Sequence, residues 1–281
     1  MVIEETVRTE TPISVKEYLY NKGLSRSIIS GMKRAGIYVN DGAVTVRRIL
    51  NDGDKIRLHL DEGGSENIPA IDIPLTVVYE DDELVIVDKP TAMPTHPSRG
   101  NSLPTLANAV MARYGEGFVF RAITRLDRDT SGLVLIAKNA ISASRLSAAM
   151  KSGQIKKKYL ATVVGVPSPE FGIIDAPIER EAPDSIKRTV REDGKPSVTE
   201  YRVIRKRESE SDLEILLHTG RTHQIRVHMA HIGHPLKGDF LYGVRTDEGY
   251  KLRCVSLSFT HPLDGRPFTV CTEEYEDTAT K

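Results

Sequence analysis

Apolar and polar positions follow two rhythms along this chain, and the change from one to the other divides it. Residues 14–35 carry the helical rhythm. Ser14, with Glu17 three residues on, has the form of a capping box, and Gly23 ends that first helix. A second starts at Ser25 or Ser27, where Ile28, Ile29 and Met32 make one apolar stripe. The segment IYVNDGAV then predicts strand, tight turn and strand, and GDKIRLHL (53–60) alternates like a half-buried strand. Residues 61–74, DEGGSENIPAIDIP, show no period and predict a linker.

Beyond the linker, strand patterns dominate. LTVVYEDDELVIVDKP predicts a hairpin with Glu80–Asp82 at its turn, and LVLIA (133–137) a strand buried on both faces. KKYLATVVG, SVTEYRVIRKR and DLEILLHTG predict further strands, and RCVSLSFTHPLDGRPFTV a late hairpin. Helices are predicted over 103–115, 141–153 and 221–233. Hairpins interleaved with helices make this part α+β, a mostly antiparallel mixed sheet with flanking helices. The domain organisation predicted is 13–60, a linker at 61–74, and 75–275.

Composition narrows the class. With 281 residues, 39% hydrophobic and 28% charged, the chain can build a sizeable core. No apolar run approaches membrane-spanning length, and the acidic, polar start MVIEETVRTE lacks a signal-peptide core, which predicts a cytoplasmic protein. Nothing predicts a large exposed apolar face, so a monomer is expected. Two cysteines, Cys254 and Cys271, make no disulfide framework and fit small apolar packing. Net charge is zero, but residues 13–60 hold nine Lys/Arg against four Asp/Glu.

Candidate chemistry concentrates in RLDRDTSGLVLIAKN (125–139), where Asp127 stands between Arg125 and Arg128, six residues before Leu133. An arginine there would favour the ionised carboxylate, which serves as nucleophile or general base. On spacing alone the same pattern is an exposed salt-bridge cluster. A cation shared by Asp127 and Asp129 is weakly supported, since no further oxygen ligands stand beside them. Five of eight histidines fall in 218–234, but their helical spacing gives no shared metal site, so hydrogen-bonded or RNA-facing histidines are expected. GKPS (194–197) lacks the first glycine of a P-loop and has Pro196 after its lysine.

Several stretches share one resemblance. VVYEDDELVIVDKPTAMPTHPS, RLDRDTSGLVLIAKN, KKKYLATVVG, GKPSVTEY and LLHTGRTHQIRVHMAHIGHPLKGDFLYG occur in the order seen in the RluA-type RNA pseudouridine synthases. The one departure is Thr124, where the family pattern carries histidine. Likewise GLSRSIISGMKRAGIYVNDG with RRILNDGDKIRL resembles an S4-type RNA-binding domain, usual in front of that family's catalytic domain. The resemblance implies isomerisation of uridine to pseudouridine in structured RNA, favouring large-subunit ribosomal over transfer RNA, without cofactor or metal. It implies that Asp127 is the essential carboxylate, attacking C1′ or C6 or assisting departure of the base. Tyr159 would lie against the flipped ring and help to remove the C5 proton, and Arg226 would pair with Asp127. Ile225 would face the base, and Arg125 the space the base vacates. Arg221 and His223 would touch phosphates, as would Arg26, Lys33 and Arg34 in the small domain. The basic runs 156–158 and 188–191 either line the RNA path or form solvated edges. The alternative reading is a non-catalytic S4-type RNA-binding or ribosome-assembly factor. A carboxylate-pair hydrolase is weaker, since Asp129 is a poorly placed second acid.

Overall fold

The computed structural model describes residues 1–61, 68–97 and 104–275. Its buried apolar residues form two cores. The smaller includes Val7, Val15, Leu19, Ile29, Met32, Ile37, Leu50, Ile56 and Leu58. Helix α1 (Val15–Asn21) begins with the predicted capping box between Ser14 and Glu17. Helix α2 (Arg26–Ala35) starts from Ser25, whose side chain accepts the Ile28 N–H. Asn40 and Asp41, both at positive φ, turn strand Ile37–Val39 back into Gly42–Ala43. Strand Lys55–His59 lies between Ile37–Val39 and a strand the periodicity did not reveal, Val2–Thr6. In that short edge segment two glutamates interrupt the apolar signal.

The larger core surrounds a ten-stranded sheet. Its main path runs in spatial order 171–175, 198–206, 210–217, 156–164, 252–260, 131–137, 84–89 and 76–80. Strand Pro267–Cys271 pairs with 252–260, and Arg121–Ala122 with 131–137. Pairing within this sheet is antiparallel except between strands Ser131–Ala137 and Leu252–Thr260, as the α+β reading anticipates. The separate hairpin of strands Ile178–Arg180 and Arg188–Val190, and strand Phe171–Asp175, were not predicted. Leu133 to Ala137 are fully buried, so a strand with no polar alternation is what the position requires.

Helix α3 (Leu106–Tyr114) is shorter than the predicted 103–115 because Thr105 caps it with Asn108; Leu103 lies outside the described residues. The second half of the predicted linker is tethered. Asn108 Nδ2 donates to Pro69 O at 2.8 Å, the Ile71 N–H donates to Asn108 O at 3.2 Å, and Ile68 packs on the large core. Residues 62–67 of that linker lie outside the described residues.

Helix α4 (Ala140–Lys151) joins the two cores, with Ala140 and Ile141 packing into the smaller one. Ser144 Oγ accepts the Ser25 N–H at 2.9 Å, and Arg145 Nε donates to Lys22 O at 3.1 Å. Helix α5 (Gln224–His231) occupies only the middle of the predicted 221–233, because His223 at φ 59° breaks the helical path before it. Among the described residues no helix is long and apolar enough to cross a membrane.

Candidate active site

The loop bearing Asp127 is fixed from below. Thr95 Oγ1 donates to Leu126 O at 2.8 Å, and the fully buried Lys89 donates through Nζ to the carbonyls of Arg128, Pro90 and Met93 at 3.1, 2.9 and 2.7 Å. Burial lowers the Lys89 ammonium to about 8. Thr124 ties the loop to the strand after it, since its Oγ1 accepts the Leu135 N–H at 2.9 Å. The position that departs from the family pattern is thus a buried backbone anchor here.

The chain then enters strand Ser131–Ala137 through Gly132, two residues earlier than the predicted 133–137. Gly132 has φ +107°, and a Cβ there would lie 2.1 Å from the Cys254 carbonyl oxygen. Only glycine allows this approach. It sets Gly132 opposite Cys254, which pairs on its other side with Tyr159. One row across three strands therefore brings the Asp127 loop to Tyr159, next to a register shift of the kind found at active sites.

A cavity of about 680 Å³ opens over this row, lined in part by Arg125, Asp127, Lys157, Tyr159, Arg221, His223, Ile225 and Arg226. Five stretches of the chain meet there, at 123–130, 150–153, 157–159, 217–226 and 252. Arg26, Lys33 and Arg34 are elsewhere, exposed on α2, with no ion pair among the described residues. Among the described residues Asp127 is the only carboxylate lining the cavity. Asp129 is held instead by Arg128, with two contacts of 2.8 Å, so Arg128 does not serve Asp127. This arrangement supplies no acid–base pair of the hydrolase type.

Arg226 is almost fully buried on α5, not the solvent-facing helix arginine that its charge alone would suggest. Its main partner is one the sequence did not reveal, Asp239. Nε and Nη2 donate to the two oxygens of the buried Asp239 at 2.7 and 2.8 Å. The rings of Tyr250 and Tyr242 lie 4.6 and 5.0 Å from the guanidinium centre. The remaining Nη1 stands 3.6 Å from Asp127 Oδ2. That is beyond hydrogen-bond length, so Asp127 feels the positive charge without being bound by it.

His223 also faces the carboxylate, with Nε2 3.9 Å from Asp127 Oδ2. It does not project outward as a phosphate contact would. Tyr242 Oη accepts the Arg188 N–H at 2.8 Å and shares a hydrogen bond of 2.8 Å with His223 Nδ1. Burial depresses the imidazole below its ordinary value.

Tyr159 is 4% exposed, and burial raises its phenol well above the ordinary value. Its ring lies in the cavity wall, where it can stack on a base. Ile225 is buried beside it on the lining. Arg125 and Arg221 are exposed at the rim, with Arg221 Nε donating to Pro196 O at 3.1 Å. Gln224 fixes the rim loop, accepting from Thr219 Oγ1 and the Arg221 N–H and donating to Val198 O and Thr199 Oγ1.

The basic run 156–158 divides by strand alternation. Lys158 turns away to Glu214 and Tyr275, while Lys157 is 9% exposed and lines the cavity on the face of Tyr159. Of the run 188–191, Arg191 is taken up by Asp193 at the surface. His228 is wholly buried, bonded to Thr199 Oγ1 and Ala176 O, and no metal-holding group of His, Cys, Asp or Glu occurs among the described residues. Cys254 is buried, its thiol pushed up to about 12.

Comparison with known proteins agrees with this geometry. Residues 83–231 match the family model for RNA pseudouridylate synthase. The chain is 39% identical over 259 residues to an uncharacterized RNA pseudouridine synthase of Bacillus subtilis, YjbO, covering 89% of this chain and 92% of that one. It is 36% identical to the ribosomal large subunit pseudouridine synthase D of Xanthomonas campestris, covering 90% and 82%. The solved structure of human RNA pseudouridylate synthase domain containing 1 superposes with a TM-score of 0.60 at 27% identity, covering 71% of this chain and 83% of that one.

Proposed function

As a member of the RNA pseudouridylate synthase family, this chain isomerises uridine to pseudouridine within RNA, and we propose that Asp127 is the carboxylate on which the reaction turns. The N1–C1′ bond breaks, the base turns, and a C5–C1′ bond forms. C5 then gives up its proton and N1 gains one. Nothing is oxidised or added, so the reaction needs no cofactor.

The observation that carries this reading is the single carboxylate in the cavity, faced by Arg226 and His223 but hydrogen-bonded to neither. Attack on C1′, attack on C6 and assistance to base departure all need an anionic oxygen with a free lone pair. Arg226 meets that need because Asp239 already occupies two of its nitrogens. Tyr159 and Ile225 form the wall for a uracil turned out of its stack, and Arg125 at the rim fills the space left in the RNA. Tyr159 also helps to remove the C5 proton in the last step.

The similarity to large-subunit synthases supports ribosomal RNA as substrate. Residues 13–60, extended by strand Val2–Thr6, act as an S4-like domain that holds the RNA through Arg26, Lys33 and Arg34. The protein acts as a cytoplasmic monomer. The test is release of tritium from C5-labelled uridine in ribosomal and transfer RNA. Wild type is expected to release it and Asp127→Asn to release none, with both binding RNA. Binding by wild type with no release from any RNA would replace this reading with the non-catalytic RNA-binding factor.

A further inference from the structure

Lys157 is an unused charge in the cavity floor. It lies two residues before Tyr159 on strand Lys156–Val164, and the two share the buried face of the strand. Same-face neighbours on a strand stand about 7 Å apart. Its Nζ reaches across to the backbone of the rim loop, where a Cβ on Gly220 would meet it at 2.9 Å. A glycine at 220 leaves room for the ammonium. The residue is buried, yet its ammonium has no hydrogen-bond or ion-pair partner among the described residues and opens to the cavity. Burial alone pushes the amine below its ordinary value, and no carboxylate acts on it. The exposed cations of the site, Arg125 and Arg221, stand at the rim where phosphates pass. Lys157 is buried where they are exposed, and it lines the same cavity as Tyr159.

We propose that Lys157 is a catalytic residue that donates to the C4 carbonyl oxygen of the uracil stacked on Tyr159. The inference rests on the function proposed above. An ammonium has donors only, so it donates to a carbonyl oxygen and disfavours the amino group that cytosine carries in that place. It also acts on the last chemical step. When the C5 proton passes, with the help of Tyr159, to the Asp127 carboxylate or to solvent, its electron pair forms the C5=C6 bond, and charge spreads over N1 to the C4 oxygen until N1 takes a proton. A fixed cation in a site shielded from water stabilises that charge far more than it would in solvent.

The test pairs Lys157→Met with a change in the substrate. Single-turnover conversion is followed by nucleoside chromatography on RNA carrying uridine or 4-thiouridine at the target. On uridine, K157M is expected to be slowed about 10²-fold to 10³-fold. Sulfur accepts hydrogen bonds poorly, so 4-thiouridine should slow the wild type at least tenfold and slow K157M hardly further. RNA affinity and its salt dependence should be unchanged. Removal of an unpaired buried charge should leave the melting temperature equal or higher; should K157M not fold, Lys157→Gln keeps a donor and is expected to keep part of the rate. Equal penalties from 4-thiouridine in wild type and variant would overturn the proposal, and so would a K157M defect confined to RNA affinity and salt slope, which marks a phosphate contact. Failure of the wild type to convert uridine would instead strike the proposed function itself.

Discussion

Asp239→Asn separates two roles that the Arg226 guanidinium combines. The variant keeps the shape of the side chain and its acceptance of the Leu241 N–H, but removes the charge that holds Nε and Nη2. Arg226 and Asp239 have side-chain exposures of 4% and 0%, so removal of one partner belongs to the buried class, roughly 3–5 kcal/mol. The nearest replacement is Asp127, already 3.6 Å from Nη1. A small shift of either side chain makes a charge-assisted hydrogen bond that returns about 1.5–3 kcal/mol. The net loss is then roughly 1–3 kcal/mol, a fall of several degrees in melting temperature. Catalysis suffers by a separate route, because the captured carboxylate must break that bond before reacting. The same 1.5–3 kcal/mol corresponds to about tenfold to hundredfold in single-turnover rate. Urea denaturation of the single and double variants gives the decisive number. Asp127→Asn should change stability little in the wild type, where no hydrogen bond is lost, and by about 1.5–3 kcal/mol more in the Asp239→Asn background. Additive effects within about 0.5 kcal/mol would refute the idea that Asp239 keeps Arg226 from seizing Asp127.

Two further outcomes are open to direct measurement. Burial lowers His96, His223 and His228 below their ordinary value, so the unfolded chain binds their protons first as pH falls. Their contribution is complete above about pH 6.5 and is lost as pH drops below it, whereas Glu80, lowered to about 2 by Tyr114, Arg113 and Lys138 against its burial, is lost only between about pH 4.5 and 2. Denaturation midpoints should therefore decline in two separate stages, and a stability that stays flat from pH 7 to 5 would contradict the burial of these imidazoles. Replacing Arg26, Lys33 and Arg34 together with alanine should leave the melting temperature unchanged while reducing the slope of log affinity against log salt by about 2–3, near 0.7–0.9 per contact. An unaltered slope would remove α2 from the RNA path.

The parts of this molecule that were legible in the sequence are those whose signal is local. Capping at Ser14, the Asn40–Asp41 turn and the unbroken apolar strand at 133–137 each follow from a few neighbouring residues. Strand Val2–Thr6 was not legible because it is a short edge whose alternation is carried by glutamates. The start of α5 was misplaced because its cap is a left-handed His223 with no side-chain bond, which leaves no sequence mark. At the site, motifs located Asp127, Tyr159 and Arg226, but spacing could not say that Arg128 turns to Asp129 or that His223 turns to Asp127. Asp239 escaped for the same reason. It lies 13 residues beyond Arg226, and only the fold makes them partners. A signal did exist, since a buried-looking arginine amid apolar residues requires a carboxylate.

The placement of Gly132 explains why these long-range partners converge. The sheet carries its parallel pairing over only two residue pairs, Ser131–Arg253 and Gly132–Cys254. Beyond that contact the Asp127 loop leaves the sheet over the strand that bears Lys157 and Tyr159, and α5 brings Arg226 and His223 from the other side of the cavity. A side chain at 132 would strike the Cys254 backbone and move the loop away from that strand, leaving Asp127 and Arg226 individually intact but apart. The chemistry thus depends on a position with no functional group, because this backbone contact holds the Asp127 loop where Oδ2 stands 3.6 Å from Arg226 Nη1 while Asp239 keeps the guanidinium from closing on it.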